Sequence, residues 1–338
     1  MRRPFSFAVI AALSLSLAIV ASSVAGSSAP KADGPTIALI SDIGKFNDRS
    51  FNQSQLEGLN RAKSELGVQT DALQSNQVSD YIPNLTSAVR KNADIIISAG
   101  FLLADATNKI ANKFPDTHFA ITDYSVAVPP FKKNPNVEGL TYAANESGCL
   151  VGVLAAKMAQ KMGKKNIGAV GGLKIPPVDI WIAGYKFCAK RANKGIKVLI
   201  GYSQDFVQSD KCKAVAEQQI AQGAKVLFQV AGGCGLGTLK AADEAGIWGI
   251  GVDKDQYNDA KRVMTSGVKR VDIGVYNFIK SAKNGAPLGG GNLNFDLENG
   301  GMDLGKINPA VPKSIVAKTL ALKQLIISGK VTPPLVVK

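Results

Sequence analysis

The stretch PTIALISDIGKFNDRSFNQSQLEGLNRAKSEL, residues 35–66, decides the fold prediction. Its apolar start, Thr36–Ser41, predicts a strand, and apolar residues at three- and four-residue spacing from Leu56 to Leu66 predict a helix. The polar loop ISDIGKFNDRSFNQS, residues 40–54, connects the two from the carboxyl end of the strand. A strand followed by a covering helix is the repeating unit of a parallel sheet.

The same alternation of strand and helix continues along the chain. Further strands are predicted at Gly67–Ala72, Asp94–Ala99, His118–Thr122, Ile167–Val170, Lys197–Tyr202, Lys225–Val230 and Ile247–Val252. Eight strands would also fit a closed β/α barrel, but the alternation of strand and helix is interrupted at Asn134–Gly148, which argues against closure of a barrel. The alternation restarts after Gly148, so we expect an α/β protein with two doubly wound parallel-sheet domains.

The N-terminal residues read as a processing segment. A positive start at Arg2 and Arg3, an apolar middle and a small-residue site near Ala25 predict a signal peptide over residues 1–25 and a flexible tether over 26–34. An uncleaved anchor is the alternative. We therefore expect an exported protein, periplasmic or at the cell surface, associated with the outer face of the cytoplasmic membrane.

The formal net charge is +14, yet the Lys and Arg residues are scattered rather than gathered in blocks. We therefore expect no nucleic-acid partner, and favour a basic exported protein near an anionic cell surface.

The four cysteines are expected to form disulfides, because an exported chain with an even number of cysteines favours them. Three pairings are open. Cys212 with Cys234 is favoured because both follow strand ends on one edge of a sheet, which would leave Cys149 with Cys188. No cysteine pair has CxxC spacing and the sequence has one histidine, so no metal site is expected.

Catalytic signatures are absent from the sequence, so we expect no enzyme and no cofactor. The single histidine, His118, lies in an apolar strand pattern, and the glycines of GGCGLG, residues 232–237, do not have dinucleotide-binding spacing. Asp42, Asp123 and Asp253 leave an exported nucleoside or glycoside hydrolase as a minor alternative.

Polar and aromatic side chains follow the predicted strands. In open α/β sheets, ligands bind beyond the carboxyl ends of the strands. Asp42 and Phe51 come after the first strand, and Phe206 and Asp253 come after strands of the second domain. Rings from both halves could sandwich a nucleobase while carboxylates and amides bind its polar edges. The sequence therefore predicts a cleft for a small polar ligand with a flat ring.

Ordered segments of the chain resemble the basic membrane protein family of ABC-transporter substrate-binding proteins, which includes purine nucleoside receptors. The resemblance runs from about Ile37 to Pro334 through SDIGKFNDRSFNQSQLEGL (41–59), DIIISAGF (94–101), FPDTHFAITD (114–123), NVEGLTY (136–142), AVGGLKIPPV (169–178), AGGCGLG (231–237), GIGVDKDQ (249–256) and TSGVKRVD (265–272). It implies a type I periplasmic-binding-protein fold with two lobes joined by a hinge. The expected lobes are 35–143 with about 264–296, and 144–263 with about 297–338.

The resemblance also implies ligand contacts and partners. The implied ligand-binding residues are Asp42, Asn47, Phe51, Asn52, Asp123, Phe206, Gly232, Asp253 and Lys269. Among them, Asp123 would read the base edge, Phe51 and Phe206 would stack on the base, and Asp253 with Lys269 would hold the ribose. The expected protein is a monomer that delivers its solute to a membrane permease, with a sugar or another small polar solute as the alternative ligand.

Two departures from the family pattern stand out. No cysteine follows the apolar signal region, so lipid anchoring is not expected, and Phe206-Val207-Gln208 replaces a frequent Phe-x-Asp.

Overall fold

A computed structural model describes Met1, residues 34–131 and residues 134–337. Apart from Met1 and Gly34, the signal peptide and tether expected at residues 1–34 lie outside the described residues. None of the described helices is long and apolar enough to cross a bilayer.

The first lobe is built on a six-stranded parallel sheet with the order β11-β5-β4-β3-β1-β2. Its strands are β1 (Thr36–Ile40), β2 (Gln69–Leu73), β3 (Ile95–Ser98), β4 (His118–Thr122), β5 (Val137–Tyr142) and β11 (Asn292–Phe295). The central strand β3, with the sequence IIIS, is buried along its whole length because helices cover both faces of the sheet.

The second lobe repeats this architecture with the order β12-β10-β9-β8-β6-β7. Its strands are β6 (Asn166–Gly171), β7 (Lys197–Tyr202), β8 (Val226–Val230), β9 (Trp248–Asp253), β10 (Val263–Lys269) and β12 (Met302–Leu304). All pairs are parallel except that of β12 with β10. Two doubly wound parallel-sheet domains are therefore confirmed.

The helices connect the strands and cover the sheets. They are α1 (Phe51–Leu66), α2 (Tyr81–Arg90), α3 (Ala104–Lys113), α4 (Ala144–Lys161), α5 (Pro176–Ala192), α6 (Ser209–Ala221), α7 (Gly235–Glu244), α8 (Val271–Lys283) and α9 (Lys313–Ile327). In the second lobe, Trp181 and Tyr185 of α5 pack their rings against Phe228 of β8. Helix α8 returns to the first lobe, where Tyr276 donates a hydrogen bond to Glu65 of α1 at 2.9 Å.

The chain passes between the lobes from β5 to α4, from β10 to α8 and from β11 to β12. The sequence analysis expected the chain to return to the first lobe at about residue 264. This is too early, because β10 pairs with β9 in the second sheet and is buried throughout. Thr265, Ser266 and Gly267 interrupt the apolar pattern of this strand, which hid it in the sequence. The sequence analysis also missed the strand β5, which lies within Asn134–Gly148, where the strand and helix pattern was expected to be interrupted.

Both disulfides lie in the second lobe, in the pairing that the sequence favoured. Cys149 of α4 is bonded to Cys188 of α5, and Cys212 of α6 is bonded to Cys234 at the turn before α7. The first therefore fixes two neighbouring helices side by side.

Candidate functional site

A cleft lies between the lobes, at the carboxyl ends of the strands. In both sheets the strand order changes direction beside the first strand of the lobe, between β1 and β3 and between β6 and β8. Such switch points are where open α/β sheets bind ligands. The cavity there has an empty volume of about 550 Å³, open solvent at its mouth included.

Both lobes contribute to the lining of this cavity. The first lobe supplies Asp42, Gly44, Asp48, Phe51, Asn52, Gly100, Phe101, Leu102 and Asp123. The second lobe supplies Ile175, Pro177, Val178, Trp181, Phe206, Val230, Gly232, Asp253 and Lys269.

The loop after β1 is held by two buried carboxylates and one amide. The Nδ2 group of Asn52 donates to Asp42 Oδ1 at 2.8 Å and to Asp48 Oδ2 at 3.1 Å. Asp48 also accepts the backbone N–H groups of Ser50, which precedes α1, and of Asn52 and Gln53 in its first turn, where N–H groups have no partner inside the helix. Asp48 therefore fixes the start of α1 and, with it, the position of the cavity residues on its first turn.

Glycines make room for the two phenylalanine rings that line the cavity. Gly100 follows β3 with a φ of +110°, and a Cβ atom there would lie 3.0 Å from Cε1 of Phe51. A Cβ atom on Gly172 would lie 2.2 Å from Cε1 of Phe206. Larger residues at these positions would displace the rings, so the glycines keep one aromatic face available in each lobe.

A buried lysine joins the lobes at the centre of the site. Lys269, at the end of β10, is 3% exposed, and its Nζ lies 2.5 Å from Asp123 Oδ2 and 3.6 Å from Asp253 Oδ1. Its ammonium also lies 4.5 Å from the centre of the Phe51 ring. The two aspartates follow or end the corresponding strands β4 and β9, and both have left-handed backbones, with φ of +58° and +62°. Non-glycine residues in this conformation are concentrated at functional sites.

Burial changes the protonation of these groups. Burial raises the pKa of Asp42 to about 7, although hydrogen bonds from Gly44 and Asn52 oppose the shift. Burial likewise raises the pKa of Asp48 to about 6, against the hydrogen bonds from the start of α1. For Lys269, burial lowers the pKa, but the carboxylates of Asp123 and Asp253 outweigh it and the net shift is upward. Near neutral pH the site therefore holds an ammonium ion and a carboxyl, Asp42, that can donate as well as accept.

Further contacts hold the lobes together beside the cavity. Ser50 donates to Asp253 Oδ2 at 2.7 Å, and Gln256 Nε2 donates to the backbone oxygen of Arg49 at 3.2 Å. The Arg49 side chain pairs with Asp259 at 2.5 Å. The structure is therefore that of a closed cleft, with polar contacts between the lobes.

Eight of the nine residues expected to bind ligand line this one cavity. They are Asp42, Phe51, Asn52, Asp123, Phe206, Gly232, Asp253 and Lys269. The exception is Asn47, which is exposed and does not line the cavity. The neighbouring Asp48, which is not among the nine, is 4% exposed and does line it.

Two further aromatic residues of the lining, Trp181 and Phe101, were not among the residues expected to bind ligand. Trp181 lies on α5, within the helix that follows β6, and Phe101 follows β3. The sequence could have indicated both residues, since their segments come after the ends of predicted strands, where ligand-binding residues concentrate.

The histidine of the sequence lies away from this cleft. His118 begins β4, at the opposite end of the strand from Asp123 and the cavity. Among the described residues, no group of His, Cys, Asp and Glu side chains could hold a metal ion.

The comparisons with known proteins agree with this architecture. The family model Bmp, described as ABC transporter substrate-binding protein PnrA-like, matches residues 36–334. The chain is 36% identical over 320 residues to the ABC transporter nucleoside-binding protein BmpA of Lactococcus lactis, and the match covers 88% of each chain.

Two other relatives extend the comparison. An uncharacterized lipoprotein of Pyrococcus horikoshii is 34% identical over 266 residues, which cover 75% of this chain and 65% of the relative. The crystal structure of an ABC transporter solute-binding protein from Aeropyrum pernix superposes with a TM-score of 0.80 at 26% identity, covering 89% of this chain and 94% of that one.

Proposed function

The chain belongs to the Bmp family of PnrA-like ABC transporter substrate-binding proteins, and we propose that it captures a purine nucleoside between its lobes. One observation carries the proposal: an aromatic ring from each lobe, Phe51 and Phe206, lines the same cavity as the ion pair of Lys269 with Asp123. Flat rings suit a nucleobase, and charged groups suit its polar edges and the hydroxyls of a ribose.

Each part of the cavity has a role in this proposal. The rings of Phe51 and Phe206 stack on the two faces of the base, with about 1–3 kcal/mol expected from stacking. Asp42 and Asp123 bind the polar edge of the base, while Asp253 and Lys269 bind the ribose hydroxyls. A ligand lacking one of these groups would leave a polar group of the closed cleft without a hydrogen bond, which is costly and therefore selective.

Transport follows from closure rather than from chemistry on the solute. Because residues of both lobes contact the ligand only when the cleft is closed, binding shifts the population towards the closed state. The closed form would then deliver its solute to a membrane permease at the outer face of the cytoplasmic membrane. One chain supplies both walls of the cleft, so a monomer suffices and no catalytic step is required.

Calorimetry tests this function directly. The protein is unfolded in denaturant to release any bound solute, refolded, and titrated with adenosine, guanosine, inosine, adenine and ribose. We expect the nucleosides to bind and ribose alone to bind far more weakly. Ribose binding in the absence of nucleoside binding would overturn the proposal in favour of a sugar receptor. Chromatographic release of free base from a nucleoside would overturn it in favour of a hydrolase.

A further inference from the structure

The end of the second lobe that lies away from the cleft is formed by the amino ends of β6, β7 and β8. Helices α4 and α5 run side by side, joined by the disulfide between Cys149 and Cys188, and both end there. The adjoining loops are linked by backbone hydrogen bonds from Lys197 N to Lys165 O and from Lys225 N to Asn166 O. Residues that are separated in sequence therefore share one surface.

This surface is strongly basic. Its exposed cations, which we call the basic end, are Lys161, Lys164, Lys165, Lys190, Arg191, Lys194 and Lys197. Among the described residues, none of the seven forms an ion pair with a carboxylate. The one acidic residue between positions 161 and 197 is Asp179, at the other end of α5, where it binds Lys174 and Tyr202.

Some exposed lysines elsewhere on the chain have carboxylate partners: Lys91 pairs with Asp71, and Lys211 pairs with Asp205. At the basic end the positive charges are left to face solvent together. Their mutual repulsion lowers stability unless an anionic partner neutralises them.

Two apolar side chains are exposed on the same helices. Met162 directly follows α4 and is 37% exposed, and Phe187 of α5 is 36% exposed. Phe187 precedes Lys190 and Arg191 by one turn of α5. Cations beside exposed apolar side chains suit a bilayer interface, where the cations bind lipid phosphates and the apolar groups enter the acyl boundary. A soluble polyanion would use the cations alone.

We propose that the basic end binds the anionic phospholipid headgroups of a membrane surface. The cleft lies at the opposite ends of the strands, so this contact leaves the ligand site open to solvent. Binding would hold the protein at the membrane by charge and shallow apolar insertion, whatever solute occupies the cleft. The proposal is therefore independent of the nucleoside assignment.

Co-sedimentation of the full chain with vesicles tests this binding. One set of vesicles is pure phosphatidylcholine and the other also contains phosphatidylglycerol. The test variant is Lys164→Glu/Lys165→Glu/Lys194→Glu. The matched control is Lys63→Glu/Lys109→Glu/Lys113→Glu, which changes the net charge equally with exposed lysines of the first lobe. Both carry the same N-terminal segment, so their difference reports the basic end.

We expect the test variant to lose at least about tenfold in affinity for the phosphatidylglycerol vesicles, and the control to lose far less. High salt should remove most of this difference. Equal losses in the two variants would overturn the proposal, since the effect would then come from net charge alone. Circular dichroism of each variant identifies a folding defect, and Lys194→Gln/Lys197→Gln provides a milder variant that should still weaken binding.

The apolar contribution is tested separately. Phe187→Ala should weaken binding to phosphatidylglycerol vesicles about threefold or more, and should leave binding to soluble polyglutamate unchanged. If Phe187→Ala has no effect, and polyglutamate binds the basic end as tightly as the vesicles do, the partner is a soluble polyanion and the membrane proposal is wrong.

Discussion

Asp123 of the first lobe and Lys269 of the second lobe meet at 2.5 Å inside the cleft. Lys269 is buried and the Asp123 side chain is 10% exposed, and the pair lies in the cavity that the proposed ligand would occupy. Closure of the lobes therefore brings together two opposite charges that an open cleft would leave apart. Two residues that would contact the ligand therefore also stabilise the closed state.

Removal of the lysine should be strongly destabilising. Lys269→Met leaves Asp123 and Asp253 buried without their cation, and we expect a loss of about 3–5 kcal/mol in the free energy of unfolding. The matched control, Lys91→Met, breaks the exposed pair with Asp71 and should cost no more than about 1 kcal/mol. Urea denaturation of both variants measures the difference, and equal losses would show that the buried pair has no special role.

Truncation of either ring in the cleft should weaken nucleoside binding. Because stacking on an aromatic ring is worth about 1–3 kcal/mol per base, Phe51→Ala and Phe206→Ala should each reduce affinity about 5- to 150-fold. Phe187→Ala removes an exposed ring of α5 outside the cavity and should leave affinity unchanged. Calorimetric titration with adenosine compares the three variants. Unchanged affinity in both cavity variants would mean that these rings do not contact the base.

The adjacent residues Asn47 and Asp48 should respond differently to substitution. Asp48→Ala removes the acceptor for three backbone N–H groups at the start of α1, and loss of such a cap costs roughly 0.5–2 kcal/mol. Asn47→Ala changes an exposed side chain outside the cavity and should stay within about 0.5 kcal/mol. Thermal unfolding of the two variants checks this order, and a larger loss for Asn47→Ala would contradict it.

Stability should depend on pH through Asp42. Burial raises the pKa of Asp42 from 3.8 to about 7, so between these values the folded state binds the proton that the unfolded state has released. The free energy of unfolding should therefore fall as the pH rises through this window, with the full cost of the buried charge present above pH 7.

The variant Asp42→Asn keeps an acceptor oxygen and removes the titration. Relative to this variant, the unmodified protein should lose stability as the pH rises from about 4 to about 7. Urea denaturation across this range makes the comparison. Parallel curves for the two proteins would show that Asp42 ionises in the folded protein as easily as in the unfolded one.

The sequence predicted the architecture because each lobe repeats a strongly periodic strand and helix pattern. It did not reveal β5 or β10, where Glu138 in one strand and Thr265 to Gly267 in the other break the apolar runs. These strands form because their backbones pair with those of the neighbouring strands β4 and β9. This pairing is a tertiary interaction, which the local sequence pattern does not contain.

The candidate site was predicted well where a residue follows a strand directly, as Asp42 and Asp123 do. Within the loop of residues 42–50, however, the sequence could not say which polar side chain turns inward. Asp48 is buried because its carboxylate meets the free N–H groups of α1, and Asn47 is consequently exposed. The contribution of Trp181 depends on how α5 is placed across the cleft, which only the assembled lobes determine.

The most direct test of the central claim is a crystal structure of the refolded protein with adenosine. Our account predicts electron density for the base between the rings of Phe51 and Phe206, with the ribose within hydrogen-bonding distance of Asp253 and Lys269. Density for adenosine outside the cleft, or in the cleft without contact to either ring, would contradict it.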